Sequence, residues 1–85
     1  MPPKQADLEA LAREIESALE TMEALESAVS VERDYVRVSV RNPLWDGVPG
    51  TVVANLMRIG FLAKVQGTET NSMYFFLVPK RGATT

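Results

Sequence analysis

The sequence predicts an α+β fold in which a long N-terminal helix precedes a β-α-β-β unit with a three-stranded antiparallel or mixed sheet. Apolar residues recur every three or four positions across the first 29 residues, which is typical of a helix. Residues 35–41 alternate strictly between apolar and polar side chains, which is typical of a strand. Two further apolar runs, separated by the polar segment GTETNS, predict two more strands.

The composition excludes more than it identifies. The 85 residues suffice for a single domain, residues 1–85, and they include neither cysteine nor histidine. The chain therefore lacks disulfides, Cys nucleophiles, imidazole-dependent catalysis and the usual zinc ligands. We expect no enzyme, no cofactor and no metal. Since no signal-peptide core or run of about 18 apolar residues is present, we also expect a cytoplasmic protein without membrane contact.

Charge is distributed unevenly along the chain. Residues 1–28 carry seven acids against two bases, residues 29–85 carry seven bases against four acids, and the net charge is −2. The basic part is the candidate surface for phosphate or for an acidic protein. Glutamate is also a good helix former, which by itself accounts for an acid-rich exposed helix.

The long helix is predicted over residues 5–29. Its apolar residues follow the a/d spacing of a heptad repeat, and neither Pro nor Gly interrupts them. Such a helix would extend roughly 37 Å at about 1.5 Å per residue, more than a three-stranded sheet covers. We therefore expect a coiled-coil-like homodimer or larger assembly, with packing inside one subunit as the alternative. The residues assigned to oligomerisation are Leu8, Leu11, Ile15, Ala18, Met22, Leu25 and Val29.

The β-α-β-β unit is predicted over residues 34–79. In its first strand the valines share one face, and Tyr35, Arg37 and Arg41 share the other. A loop rich in Pro and Gly follows. The last strand, MYFFLV, is apolar on both faces and is therefore expected at the centre of the sheet, between the other two.

A short helix is predicted over residues 49–59. Its apolar stripe is one-sided, Gly60 is expected to end it in a left-handed conformation, and its solvent side carries Thr51, Asn55 and Arg58. Lys64 follows in the second strand, and residues 80–85 are predicted to form a frayed tail.

The predicted sheet leaves one face to be explained. If the helix of the unit covers the valines, the opposite face presents Tyr35, Arg37, Arg41 and Lys64 with either Tyr74 and Phe76 or their alternates Met73, Phe75 and Leu77. The long helix, a second subunit or a ligand must cover these aromatic residues.

The favoured functional hypothesis is a small non-enzymatic interaction protein, an adaptor or inhibitor. The heptad helix would supply homo-oligomerisation, and a partner protein would bind the remaining apolar sheet face or the acidic helix. The acidic balance of the chain favours this class over nucleic-acid binding.

The alternative hypothesis is a dimeric nucleic-acid-binding regulator. One segment resembles the recognition helix and wing of winged-helix regulators, in residues Gly47, Val48, Pro49, Thr51, Val52, Leu56, Gly60, Phe61 and Leu62. The resemblance implies that Thr51, Asn55 and Arg58 face a major groove, and that Lys64 or the GTETNS turn contacts phosphate.

A basic, aromatic sheet face is a second route to nucleic acid, because such faces stack single-stranded bases. The residues assigned to partner or nucleic-acid binding by these hypotheses are Tyr35, Arg37, Arg41, Thr51, Asn55, Arg58 and Lys64.

Overall fold

Two helices lie against one face of a four-stranded antiparallel sheet in the computed structural model of the protein. The α+β class agrees with the prediction from the sequence. The structure describes residues 3–22, 25–44, 47–69 and 71–80. Residues 23 and 24 of the predicted long helix and residues 81–85 of the predicted tail lie outside the described residues.

Six elements follow one another in the order α-β-β-α-β-β. They are α1 (Gln5–Glu20), β1 (Glu26–Val31), β2 (Val36–Arg41), α2 (Gly50–Ile59), β3 (Phe61–Glu69) and β4 (Ser72–Val78).

The predicted helix over residues 5–29 is too long. α1 ends at Glu20, and the Thr21 hydroxyl donates a hydrogen bond of 2.7 Å to the Ala18 carbonyl oxygen. This bond satisfies one of the carbonyl groups that the last turn of a helix leaves without a partner. The chain then changes direction, and strand β1 begins at Glu26.

The end of the predicted helix forms a strand because a partner strand follows at once. Val29 and Val31 are β-branched, and they lie directly opposite Val38 and Val36 of β2. Only residues 32–35 connect the two strands. Val29 therefore continues the heptad spacing in the sequence without belonging to a helix.

The apolar stripe of α1 packs inside its own domain. Leu8 and Ile15 are fully buried, and Leu11 is 5% exposed. Met22 and Leu25, which follow the helix, are half-buried against the same core. The structure thus agrees with packing inside one subunit, the alternative to the coiled coil, since the described part of α1 has no free apolar seam.

The sheet has four strands, where the sequence predicted three. Its order is β1-β2-β4-β3, and every neighbouring pair is antiparallel. The predicted β-α-β-β order is incomplete because β1 precedes it. Strand β4 lies between β2 and β3, so the connection through α2 skips one strand position.

Gly60 connects α2 to β3 at a tightly packed position. The prediction that it ends α2 in a left-handed conformation is wrong. Its backbone is extended, with φ −141° and ψ 175°. A Cβ atom at this position would lie 3.0 Å from Leu11 Cδ1 and 3.2 Å from the Val78 carbonyl oxygen. The missing side chain therefore allows Leu11 of α1 and the backbone of β4 to pack closely against Gly60.

Candidate functional site: an open aromatic and basic sheet face

Alternation along the strands gives the sheet two different faces. Val36, Val38 and Val40 are fully buried beneath the helices, so their chain neighbours point to the opposite face. We call this second face the open face, because no described element covers it. Strand pairing places on it Ala28, Ser30, Arg37, Ser39, Arg41, Phe61, Lys64, Gln66, Tyr74 and Phe76.

Aromatic and basic side chains meet in the middle of the open face. Arg37 on β2 and Lys64 on β3 both lie directly opposite Phe76 on β4, one from each side. Tyr35, directly before β2, contacts Phe76 edge to face, with ring centroids 5.4 Å apart and planes at 67°. Together with Tyr74, these residues form what we call the central cluster.

The cations of the central cluster lie over its aromatic rings. Arg37 Cζ is 5.8 Å from the centroid of Tyr74, and Lys64 Nζ is 5.5 Å from the centroid of Phe76. At exposed sites such contacts stabilise by only about 0.5–1 kcal/mol. No described carboxylate lies within ion-pair distance of either cation. Both side chains can therefore turn toward an anion at little cost.

Arg41 has a different environment. It lies opposite Glu26 of β1, and its Nη1 is 2.7 Å from Glu26 Oε1. Both side chains are at least half exposed, so the pair contributes little to stability. Of the three open-face cations, Arg41 is the one already neutralised by a neighbour.

Phe61 extends the apolar surface beyond the central cluster. It begins β3 opposite Val78, on the same face as Phe76, and it is 61% exposed. Phe61 and the half-buried rings of Tyr74 and Phe76 give this face a partly exposed aromatic surface, a feature that marks contact surfaces.

The sequence did not indicate the full aromatic content of this face. Because MYFFLV is apolar on both sides, the sequence left open whether Tyr74 and Phe76 or their alternates Met73, Phe75 and Leu77 point to this face. Phe61 was not assigned to binding. The register between β2 and β4 decides the question: Leu77 lies opposite buried Val36, so Phe76 points outward. Strand alternation across β3 could have indicated Phe61 once that register was known.

The binding residues predicted on α2 lie on the other side of the molecule. Thr51 and Arg58 are exposed and Asn55 is half-buried. Asn55 Nδ2 donates to the Thr51 carbonyl oxygen at 2.9 Å, and Arg58 Nη2 donates to Asn55 Oδ1 at 3.2 Å. The predicted binding residues thus form two surfaces, with Tyr35, Arg37, Arg41 and Lys64 on the sheet side.

A shallow polar groove separates α1 from α2. Its volume is about 340 Å³, and its lining residues are Glu14, Ser17, Ala18, Thr21, Asn55, Arg58 and Ile59. No buried polar side-chain atom among the described residues lacks a hydrogen-bond partner. Ala18 of the predicted coiled-coil seam lines this groove.

The fold separates the charges of the two layers. Four exposed glutamates of α1, Glu9, Glu14, Glu16 and Glu20, lie in the helix layer. The open face carries Arg37, Arg41 and Lys64, against Glu26 and Glu32, and the Glu32 carboxylate accepts a hydrogen bond from the Ser30 hydroxyl. An anion therefore meets repulsion from the helix layer and attraction from the open face.

The described residues contain no cluster of three or more potential metal ligands, and none of their helices is long and apolar enough to span a membrane. No protein-family model matches the chain, and no curated protein or solved structure does so either. Its function must therefore be argued from the open face itself.

Proposed function

We propose that the protein is a non-enzymatic binding module that binds single-stranded nucleic acid on its open face. The observation that carries the proposal is the central cluster, in which Arg37 and Lys64 flank Phe76 without a described carboxylate partner. Aromatic rings and cations interleaved on a flat sheet supply the two interactions that single strands need, base stacking and phosphate neutralisation.

The spacing of the aromatic residues supports stacking of neighbouring bases. Tyr74 and Phe76 are two residues apart on β4, which separates their attachment points by roughly 7 Å at about 3.3 Å per residue. Tyr74 and Phe76 are half-buried, and Phe61 on the adjacent strand adds a third ring that is 61% exposed. Each stacked base contributes about 1–3 kcal/mol and requires no particular sequence.

The open face is a sheet surface that no described helix covers, which favours a single strand over a duplex. A duplex is read by an element that enters a groove, and no described helix projects from this face. α2 follows strand β2 directly in the order of elements, whereas a helix-turn-helix places another helix there. The winged-helix interpretation therefore has less support than the sheet interpretation.

A partner protein on the same open face is the second candidate function. The exposure of Phe61 favours it, since an exposed aromatic residue can anchor a protein interface as well as a base. The apolar stripe in the described part of α1 is buried against the sheet of its own chain, which weakens the heptad argument for this class.

Fluorescence anisotropy with labelled mixed-sequence DNA and RNA 12-mers at about 50 mM salt tests the proposal, because electrostatic binding is strongest at low salt. The double variant Arg37→Glu with Arg41→Glu should weaken binding at least tenfold. The matched control Lys4→Glu with Arg13→Glu makes the same charge change in the N-terminal and helix region and should change affinity less than threefold. Loss of binding with Arg58→Glu alone would instead support recognition through α2.

Two results would overturn the proposal. One is the absence of binding by the unaltered protein to either 12-mer. The other is equal weakening by the open-face variant and the control, which would indicate a general charge effect. In either case a partner protein on the open face becomes the better hypothesis.

A further inference from the structure

The two edges of the sheet differ in how well they are protected against further strand pairing. The β3 edge is irregular, with register shifts between Leu62 and Lys64 and between Gly67 and Glu69, and it carries an exposed lysine. Bulges and lysines are the usual devices that prevent an edge from pairing. The β1 edge has neither: all six of its residues pair with β2 in unbroken register, and its sequence ESAVSV lacks Lys and Pro.

The hydrogen-bonding pattern shows which groups the β1 edge presents. The Glu32 amide donates to the Tyr35 carbonyl oxygen at 2.8 Å, so this pair is hydrogen-bonded. Hydrogen-bonded and non-hydrogen-bonded pairs alternate in an antiparallel ladder, so Ala28 and Ser30 also bond to β2. The amide and carbonyl groups of the residues that alternate with them, Ser27, Val29 and Val31, therefore point outward.

We propose that a second copy of this chain pairs with the β1 edge, antiparallel and centred on Ala28, to form a dimer with a continuous eight-stranded sheet. This inference does not depend on the nucleic-acid proposal. It concerns a different surface from the open face and from the predicted heptad seam.

The chemistry of β1 fits a second copy in this register. Antiparallel pairing about Ala28 places Glu26 opposite Ser30 of the other copy, and Leu25 opposite Val31. These are a carboxylate against a hydroxyl and an apolar pair, with no like charges directly opposed. The Ser30 hydroxyl already donates to Glu32, so Glu26 of the other copy meets that carboxylate only as a diagonal neighbour. The alternative register, centred on Val29, places Glu26 opposite Glu32 and is disfavoured by their repulsion. Shifts by one residue are excluded because they pair opposite faces of the sheet.

In such a dimer the open faces of the two copies would form one surface. A two-fold axis perpendicular to the sheet keeps both open faces on the same side of the dimer. The two central clusters would then lie on one surface, each separated from the junction by β1 and β2. A single partner could contact both clusters.

Residue-resolved amide hydrogen exchange, together with light scattering, tests the pairing in the full chain. At about 1 mM protein the mass should be that of a dimer. The Ser27 and Val29 amides should exchange at least tenfold more slowly than at the dilution where the mass is that of a monomer. The Ala28 and Ser30 amides, bonded to β2 within one copy, should be protected at both concentrations.

A proline substitution gives a matched test. Ser27→Pro removes an outward amide that β2 does not use, and proline is tolerated at such edge positions. It should yield a monomer, whereas Ser27→Val keeps the amide and should keep the dimer.

Three results would overturn the inference: a monomer at 1 mM, a dimer whose Ser27 and Val29 amides exchange freely, or a dimer unaffected by Ser27→Pro. If the proline variant does not fold, the exchange rates of the unaltered chain decide. None of these results affects the 12-mer titration, so the two proposals fail separately.

Discussion

Removing Arg37 and Lys64, the open-face cations without an ion pair to a described carboxylate, should change the salt dependence of nucleic-acid binding by a predictable amount. The structure offers two cations without a described carboxylate partner, Arg37 and Lys64, and a third, Arg41, that is held by Glu26. The slope of log K against log salt is about −0.7 per phosphate neutralised on a single strand, so we expect about −1.4 to −2.1. Affinity should therefore fall about seven- to eighteenfold between 50 and 200 mM salt.

The double variant Arg37→Gln with Lys64→Gln should bring this slope to between about −0.7 and 0, because only Arg41 would remain to neutralise a phosphate. The separate variant Tyr74→Leu removes one stacking ring and no charge. It should weaken binding by about 1–3 kcal/mol, roughly 5- to 150-fold, with the slope unchanged. Charge and stacking contributions are thus measured by different quantities.

Anisotropy titrations of a labelled 12-mer at four salt concentrations give the slope. The matched control is Lys4→Gln with Arg13→Gln. It removes two positive charges that do not lie on the open face, so the slope should not change. A slope that the open-face variant does not alter would refute the assignment of Arg37 and Lys64. A slope steeper than about −3 in the unaltered protein would require more phosphate contacts than the open face of one copy provides, so it would indicate either another surface or contact with both copies of a dimer.

Three further substitutions test the packing that supports the sheet, each measured by urea denaturation. Ile15→Ala should lower the free energy of unfolding by about 2–5 kcal/mol without a change in mass, because Ile15 is fully buried in its own domain; a changed mass at unchanged stability would indicate a subunit contact. Gly60→Ala should lower the free energy of unfolding by about 1–3 kcal/mol, because the new Cβ would crowd Leu11. The control Gly67→Ala, where no atom lies within 4 Å of the new Cβ, should change it by less than about 1 kcal/mol. Equal effects of the two substitutions would contradict the steric explanation. Asn42→Ala should cost about 1–3 kcal/mol, because the buried Asn42 amide bonds two backbone groups of the following loop; a neutral result would show that water replaces these bonds.

The parts of the fold that the sequence predicted are those in which one local signal has one interpretation. Strict alternation over residues 35–41 predicted β2 because a period of two is specific to strands. The one-sided apolar stripe before Gly60 predicted α2 because its spacing of three and four residues is specific to helices. Both elements are present, α2 beginning one residue later than predicted.

The parts that the sequence did not predict depend on pairing between distant residues. Leu25 and Val29 continue a helical spacing, yet Val29 lies opposite Val38 in a hairpin whose short connection lacks glycine. The orientation of Tyr74 and Phe76 depends equally on the register with β2. At Val29, pairing with β2 outweighs the helical spacing of the sequence. At Tyr74 and Phe76 the apolar pattern is the same on both faces, so only the register with β2 determines which side chains point outward.

Net charge is a poor guide to the partner of this chain. A total of −2 favours a protein partner over nucleic acid, although residues 29–85 by themselves carry seven bases against four acids. The fold, however, places four exposed glutamates of α1 in the helix layer and the unpaired cations Arg37 and Lys64 on the open face. Because charges separated by more than about 10 Å are largely screened at 0.1 M salt, each face acts on a partner mainly through its own charges. The acids of α1 then disfavour approach from the helix side more than they weaken binding at the sheet.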